Sequence, residues 1–403
     1  MEKKKKRDLA ALATIPLTMT LANSMLIPVL PVIQKKIGIS AFQASLIITA
    51  YAVVAIFFIP LAGYLSDVIG RKKVILPGLI IVAAAGAFTG WASTAMDKPY
   101  AMIMVGRLVQ GLGASACFPV VLPLVGDLFK RDEDVTNGLG IVETANTFGK
   151  VLSPILGSAL AYWAWYMPFW SIPVFCLVSI VLVSIWVKVP KDKEKAPGFR
   201  AFIQSVRELF RTQGRWLWGV FASGGINMFV LFASLFFLSE TLEDRGIDGI
   251  AKGGLVAIPL AALCSTSWAV GKWCGKNKRL MKWISVAGFI LATACMIYLA
   301  IAGRDKNGVL IAVLSVGSVG LGAALPSLDA ILTEGIKKEQ RGTVTSFYSS
   351  IRFLGVAAGP PLAAWINKNS VSALFWLLFA VSCAAALIVL FAIRPNKSVE
   401  SAK

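Results

Sequence analysis

Few residues of this chain can do charge-dependent chemistry, because almost all of its charge lies outside long apolar runs. The exceptions are Arg107, Glu143, Lys150 and Arg352, with Asp127, Asp329 and Glu334 nearer the ends of such runs. An ionised side chain at the centre of a bilayer costs at least about 2.5 kcal/mol, so such residues are functional candidates by default. Glu143 precedes Lys150 by seven residues, which puts both on one helix face. With a rise of about 1.5 Å per residue, Arg107 and Lys150 both fall in the outer half of a membrane and Arg352 near its middle. This predicts a charge-coupled set of Arg107, Glu143 and Lys150 bordering a central cavity. Burial favours the neutral form of Glu143 while nearby cations favour the charged form, so it is the carboxylate best suited to release and regain a proton. The alternative is a fixed ion-pair partner that locks two helices together.

The elements that must hold these groups are long apolar helices. Of the 403 residues, 57% are hydrophobic and 15% charged, against about 25% charged in a soluble domain. A spanning helix needs about 20 mainly apolar residues, and twelve of them with short connections use most of this chain. The expected spans are Leu9 to Pro31, Ala41 to Leu65, Val74 to Ser93, Tyr100 to Leu124, Asn137 to Ala161 and Pro168 to Val187. The second six are Arg215 to Leu238, Gly253 to Gly271, Trp283 to Ala302, Gly308 to Leu332, Thr343 to Trp365 and Val371 to Ile393. Pro28 and Pro31 are expected to end the first span, with Lys35 and Lys36 in an external loop. Trp163, Trp165, Tyr166 and Trp170 form an aromatic belt at the outer interface. The polar stretch 188–213 reads as a cytoplasmic linker carrying an amphipathic helix on the membrane surface. The domains are therefore 1–187, a six-helix bundle; 188–213, the linker; and 214–403, a second six-helix bundle.

The net charge of +19 invites a nucleic-acid reading, but its distribution opposes one. Roughly 29 of the 40 Lys and Arg fall in segments on one side of the spans, about 8 on the other and about 3 within them. That bias sets orientation, with both chain ends cytoplasmic, and gives contacts with anionic lipid head groups. The basic residues Lys3 to Arg7 before an apolar run imitate a signal peptide, but no cleavage site follows. Histidine is absent, which removes the usual zinc ligand and near-neutral proton carrier. Cys117, Cys176, Cys264, Cys274, Cys295 and Cys383 include no C-x-x-C pair and read as packing residues. No nucleophile–base pair or metal set is apparent, so neither an enzyme nor a cofactor is expected.

Three motifs carry a resemblance. Gly63-Tyr64-Leu65-Ser66-Asp67-Val68-Ile69-Gly70-Arg71-Lys72-Lys73 resembles the signature between the second and third helices of the major facilitator superfamily of membrane transporters. Gly106-Arg107-Leu108-Val109-Gln110-Gly111-Leu112-Gly113-Ala114 is similar to that superfamily's helix 4 signature. Gly149-Lys150-Val151-Leu152-Ser153-Pro154-Ile155-Leu156-Gly157 resembles the helix 5 signature of its twelve-helix drug–proton antiporter branch, with Ser153 and Ser158 where that pattern has glycines. The resemblance implies an all-α membrane fold of twelve helices in two pseudo-symmetric six-helix bundles. It links Arg107 to proton coupling, with a hydrogen-bonded anchor for backbone carbonyls as the other reading. It makes Asp67, Arg71 and Asp127, with Gly63 and Gly70, a cytoplasmic charge network closing one conformation, with simple turn formation as the alternative. Gly149, Pro154, Gly157, Gly355, Gly359 and Pro360 either let their helices bend and slide or only let them pack closely. Asn23, Asn227, Phe229, Phe232, Phe236 and Arg352 are the candidates to line a substrate cavity, although an aromatic stripe is also what lipid-facing or core positions carry.

The second half echoes the first. Gly271 to Arg279 repeats the Gly-to-Arg spacing of the first motif, with Gly275 for the acid. Gly320-Leu321-Gly322-Ala323 echoes Gly111 to Ala114, and Gly355 to Pro360 echoes Gly149 to Pro154, at offsets of about 206 to 209 residues. Parallel repeats about an axis along the membrane normal are the arrangement this implies. The expected activity is proton-coupled export of small amphipathic compounds across the cell membrane by a monomer using alternating access. The expected partners are a small-molecule substrate, protons and the bilayer, with no nucleic acid. Cations outnumber acids among the embedded charges, and the first span lacks a carboxylate. The second expectation is therefore a dedicated exporter of an anionic metabolite such as a catecholate siderophore.

Overall fold

The computed structural model describes residues 3–129, 132–188, 199–273, 277–302, 304–336 and 341–393. In chain order its helices are α1 (Lys3–Ser24), a 3-10 turn (Ile27–Val29), α2 (Leu30–Ile37), α3 (Ala41–Ile69), α4 (Arg71–Ala95), α5 (Tyr100–Ser115), α6 (Phe118–Leu128), α7 (Asp132–Trp163) and α8 (Met167–Trp186). There follow α9 (Phe199–Asp244), α10 (Gly249–Trp273), α11 (Lys278–Ile301), α12 (Asn307–Gly335), α13 (Arg341–Asn367) and α14 (Val371–Ala392). Among the described residues, ten helical segments are long and apolar enough to cross a membrane. The other two long helices, α7 and α13, are the ones that carry Glu143, Lys150 and Arg352. Together these make the twelve long segments expected.

Local chemistry explains several joints. Ser40 and Gln43 form a capping box that starts α3: Gln43 N donates to Ser40 Oγ at 3.2 Å, and Ser40 N donates to Gln43 Oε1 at 2.9 Å. Gly70 has φ 109°, so α3 turns straight into α4 through one residue that only glycine adopts without strain. Asn277 caps α11 by accepting from the N–H groups of Arg279 and Leu280.

Three boundaries differ from expectation. Pro28 and Pro31 do not end the first span: they sit at the first positions of the 3-10 turn and of α2, where a missing N–H costs nothing. The helix therefore runs on to Ile37, and Lys35 and Lys36 occupy its last turn. The fourth span is broken at Ala116 and Cys117 into α5 and α6. Past the undescribed residues 189–198, the linker helix is continuous with the seventh span, as α9. Lys130, Arg131 and the acid-less turn around Gly275 lie outside the described residues, as does the Glu334 side chain.

The chain divides into two compact units, residues 1–202 with 249–253, and residues 203–248 with 254–403. In the first, α1 packs on α7 and α8, α3 on α5, and α4 on α5 and α8; in the second, α11 packs on α12 and α14. Large apolar side chains point outward as well as inward. Trp163 is 80% exposed and Trp273 81%, a pattern that a water-soluble surface avoids and a lipid-facing surface needs.

Candidate functional site

In the first unit, Gly106 brings α5 close to α4: a Cβ there would lie 2.0 Å from Thr89 Oγ1. That approach seats Arg107 between α5, α1 and α3, where it is fully buried. Its Nε donates to Ile47 O at 3.0 Å, Nη1 to Ala22 O at 3.0 Å and to Gln110 Oε1 at 2.7 Å, and Nη2 to Asn23 Oδ1 at 2.7 Å. The guanidinium also lies over the Tyr51 ring, 4.6 Å from its centroid. Four neutral acceptors and an aromatic face thus replace the water around the cation.

Glu143 lies elsewhere. It is exposed on α7 and its Oε1 accepts from Asn146 Nδ2 at 3.0 Å. Asn146 in turn accepts from Thr20 Oγ1 at 2.6 Å. Lys150 is half-buried one turn further along α7. The expected set is therefore corrected: among the described residues, Arg107 bonds to neither Glu143 nor Lys150, and it is sealed inside its own unit instead of lining a wet cavity. The physical reason is that α1 and α3 offer Arg107 main-chain carbonyls at short range, at Ala22 and Ile47, which satisfy its donors without a counter-ion. Both branches do end on α1, at Thr20 and Asn23, which are three residues apart and share a helix face.

The motif around Gly70 assembles as its spacing implies. Arg71 pairs with Asp67 at 3.3 Å and bonds to Asp127 through Nε, tying the α3–α4 turn to the end of α6. Lys72 Nζ donates to Ser184 O at 2.9 Å and Val187 O at 2.7 Å, capping the carbonyl end of α8. Gly63 lies in the preceding turns of α3.

The Gly-Pro segments mark close helix crossings. A Cβ on Gly149 would lie 3.2 Å from Leu17 Cδ1 and Thr20 Cβ of α1, and one on Gly157 2.1 Å from Met25 O. In the second unit, a Cβ on Gly355 would lie 2.1 Å from Gly225 O, and one on Gly359 2.9 Å from Phe229 O. Pro154 and Pro360 sit inside α7 and α13. The hydroxyl of Ser153, where the pattern has a glycine, turns back onto Gly149 O at 2.6 Å.

The cavity expectation is corrected for Asn23, Asn227 and Phe232, which are 6%, 0% and 8% exposed. Asn23 is committed to Arg107, and Asn227 Nδ2 donates to Leu321 O at 3.0 Å, joining α9 to α12. Phe229 lies in half-exposed surroundings and Phe236 is buried. Arg352 is the exception, with a side chain 20% exposed. Its Nη1 lies 3.6 Å from Asp329 Oδ1 on α12, and its guanidinium lies 5.6 Å from the Tyr348 ring centroid.

Sequence reasoning missed Asn146, Thr20 and Gln110 as partners. A polar residue three places after an embedded charge, as in Glu143–Asn146 and Arg107–Gln110, was the available signal. It also missed Lys252, fully buried on α10 one residue outside the expected span.

Comparison with known proteins accords with this geometry. The chain matches the Major Facilitator Superfamily over residues 12–355 and 305–403. It is 51% identical over 396 residues to the "Bacillibactin exporter" of Bacillus subtilis (strain 168), covering 98% of each chain. It is 21% identical over 377 residues to the "Quinolone resistance protein NorA" of Staphylococcus aureus (strain COL), covering 92% of each. Among solved structures, the human organic anion transporter MFSD10 superposes with a TM-score of 0.74 at 19% identity, over 96% of this chain and 100% of that one. A D-xylose-proton symporter superposes with a TM-score of 0.76 at 14% identity, over 97% and 98%. At those identities the two structures speak for the fold alone. This multi-pass helical membrane protein belongs to the Major Facilitator Superfamily of transporters.

Proposed function

We propose that the protein exports an anionic siderophore-type metabolite across the cell membrane, with bacillibactin as the first substrate to test. One observation carries this reading: the 51% identity that extends over 98% of both chains to a bacillibactin exporter. Export of assorted amphipathic drugs, the broader expectation, has weaker support, since the relative of that kind is 21% identical. Transport proceeds by alternating access of a monomer, with both chain ends in the cytoplasm as the basic-residue bias requires.

Proton entry drives the export. In the first unit, Glu143 on α7 is the carboxylate that carries the proton; its Oε1 accepts from the Asn146 amide, which connects it to Thr20 on α1. Arg107 serves as the anchor that fixes α1 against α3 and α5.

The test uses proteoliposomes with an imposed pH gradient. The wild type is expected to move bacillibactin against the proton flow, and Glu143→Gln to lose gradient-driven movement while keeping downhill exchange. Gradient-driven transport intact in Glu143→Gln removes that residue's role. No movement of bacillibactin by the wild type removes the substrate assignment.

A further inference from the structure

The seam between α4 and α8 crosses the first unit with aromatic side chains at one end and lysines at the other. At the aromatic end the Trp170 ring lies against α4, where a Cβ on Gly90 would meet its Cδ2 at 2.8 Å, and Trp91 follows half-exposed. Lys73 lies about 27 Å back along α4 from Trp91, close to the roughly 30 Å of a hydrocarbon core. The lysine end is the one that the basic-residue bias assigns to the cytoplasm.

Three cations gather there. Lys72 Nζ gives two of its three N–H groups to Ser184 O and Val187 O at the end of α8. Its third N–H has no partner among the described residues. Lys188 follows directly on the end of α8, exposed, and its ammonium is the charge that acts on Lys72 from across the seam. Lys73 is exposed one residue further along α4. Among the described residues no acid pairs with any of the three, and the carboxylates closest in the motif, Asp67 and Asp127, hold Arg71. The carbonyl end of α8 supplies only about half a negative charge. An anion is the missing partner.

The surface between the two ends is apolar and faces outward on both helices. On α4, Lys73, Pro77, Ile80 and Ala84 are exposed at steps of four, three and four residues; on α8, exposed Val181 and Ile185 lead to Lys188. The second unit has only part of this arrangement. There Lys282 Nζ of α11 donates to Leu390 O near the end of α14 at 2.7 Å, so the lysine cap recurs. The residue after it is half-exposed Trp283, where the first unit has Lys73.

We propose that the lysine end of the α4–α8 seam binds an anionic phospholipid of the cytoplasmic leaflet. The phosphate accepts from the free N–H of Lys72 and from Lys188, Lys73 adds a third positive charge at its side, and the acyl chains lie along the Ile80 and Ile185 stripes. A free phosphate would answer the charges but leave the stripes uncovered, whereas a lipid answers both. The site is independent of the exported substrate.

The experiment counts lipid bound to the full-length protein in detergent by native mass spectrometry. The probes are dioleoyl phosphatidylglycerol, dioleoyl phosphatidylcholine and, as competitor, inorganic phosphate. The wild type is expected to bind the anionic lipid at least about fivefold more tightly than the zwitterionic one, and to keep it in millimolar phosphate. Lys188→Gln removes a side chain that makes no hydrogen bond in the described structure, so it tests the charge without disturbing the fold. It should weaken phosphatidylglycerol binding about fivefold, the worth of one lysine near an anionic surface, and leave phosphatidylcholine binding unchanged. Lys72→Gln should weaken it at least as much, while Lys72→Arg, which keeps charge and donors, should restore most of it. Lys98→Gln, at the other face of the membrane, should change nothing and so controls for net charge. Equal binding of the two lipids by the wild type, or wild-type selectivity in Lys188→Gln, overturns the inference. Full displacement of the lipid by inorganic phosphate also overturns it, since the site would then recognise the anion alone. None of these outcomes touches the export reading.

Discussion

The two units solve one helix crossing in different ways. In the first, a Cβ on Gly111 of α5 would lie 2.2 Å from Tyr51 O of α3; in the second, one on Gly322 of α12 would lie 2.3 Å from Leu263 O of α10. Gly106 and Gly317 then face α4 and α11 alike, the latter against Cys295 and Met296. In this register Arg107 corresponds to Ser318, Gln110 to Leu321 and Ile47 to Pro259. Where the first unit has the Arg107 guanidinium, the second has a cavity of about 10 Å³ lined by Ser318, Leu321, Pro259, Leu231 and Ser234. That is room for about one water, and the Ser234 hydroxyl there has no hydrogen-bond partner among the described residues. One copy of the crossing is tied by four charge-assisted bonds. The other keeps the same backbone approach with two neutral bonds, Ser267 Oγ to Gly322 O at 2.7 Å and Asn227 Nδ2 to Leu321 O at 3.0 Å, and a void. The second unit pairs Arg352 with an acid, Asp329, whereas the first holds Arg107 and Glu143 on neutral partners.

The largest effect expected from this contrast comes from removing the tie. Arg107→Met leaves Asn23, Gln110 and two carbonyls buried without their donor, each worth about 1–3 kcal/mol. The loss of stability should be at least about 3 kcal/mol, read as a lowered unfolding midpoint of the full chain in detergent. A loss below about 1 kcal/mol would break the contrast, because Arg107 would then be no more of an anchor than Ser318.

The glycines test the register itself, at intermediate size. Gly111→Ala and Gly322→Ala each press a methyl into a facing carbonyl, and overpacking of that kind costs about 1–3 kcal/mol. The two should match within about 0.5 kcal/mol, since the added methyl meets a facing carbonyl at nearly the same distance in both, 2.2 and 2.3 Å. A large cost at Gly111 with none at Gly322 means the crossings are not equivalent. The corresponding melting curves decide it.

That register was only partly legible in the sequence. The echo of Gly111-Leu112-Gly113 in Gly320-Leu321-Gly322 is real, but it is two residues out of structural register. Two residues turn a helix by about 200°, so they change which neighbour a glycine meets. Gly320 in fact faces α11, against Gly288, one turn earlier than Gly113 faces Gly78 of α4. Asp67, Arg71 and the Gly70 turn were legible because their contacts are local or fixed by a backbone angle. For Arg107 the anchor reading anticipated bonds to main-chain carbonyls but not which ones, because any residue supplies a carbonyl. Asp329 and Arg352 come from different helices, so nothing in their spacing announces the pair. The prolines at 28 and 31 misled because a first-turn proline and a helix-ending proline look alike without knowing where the next helix begins.

The smallest effect tests whether the void is where the comparison puts it. Ser318→Thr adds one methyl on the residue that corresponds to Arg107. If that methyl enters the cavity it gains about 0.8 kcal/mol at most, since a buried CH₂ is worth about that much, and it restores dispersion contacts that the void forfeits. If Ser318 points into filled space, the same methyl overpacks and the sign reverses. The sign of the shift in unfolding midpoint therefore decides the question even where its size is small. The same variant also asks what the looseness does. A crossing held by two neutral bonds beside a void can slide more easily than one in which a guanidinium bonds to two carbonyls and two amides, so filling the void should slow transport turnover as it raises stability. Raised stability with unchanged turnover would keep the void but remove its mechanical meaning, and the difference between the two units would then be one of anchoring only.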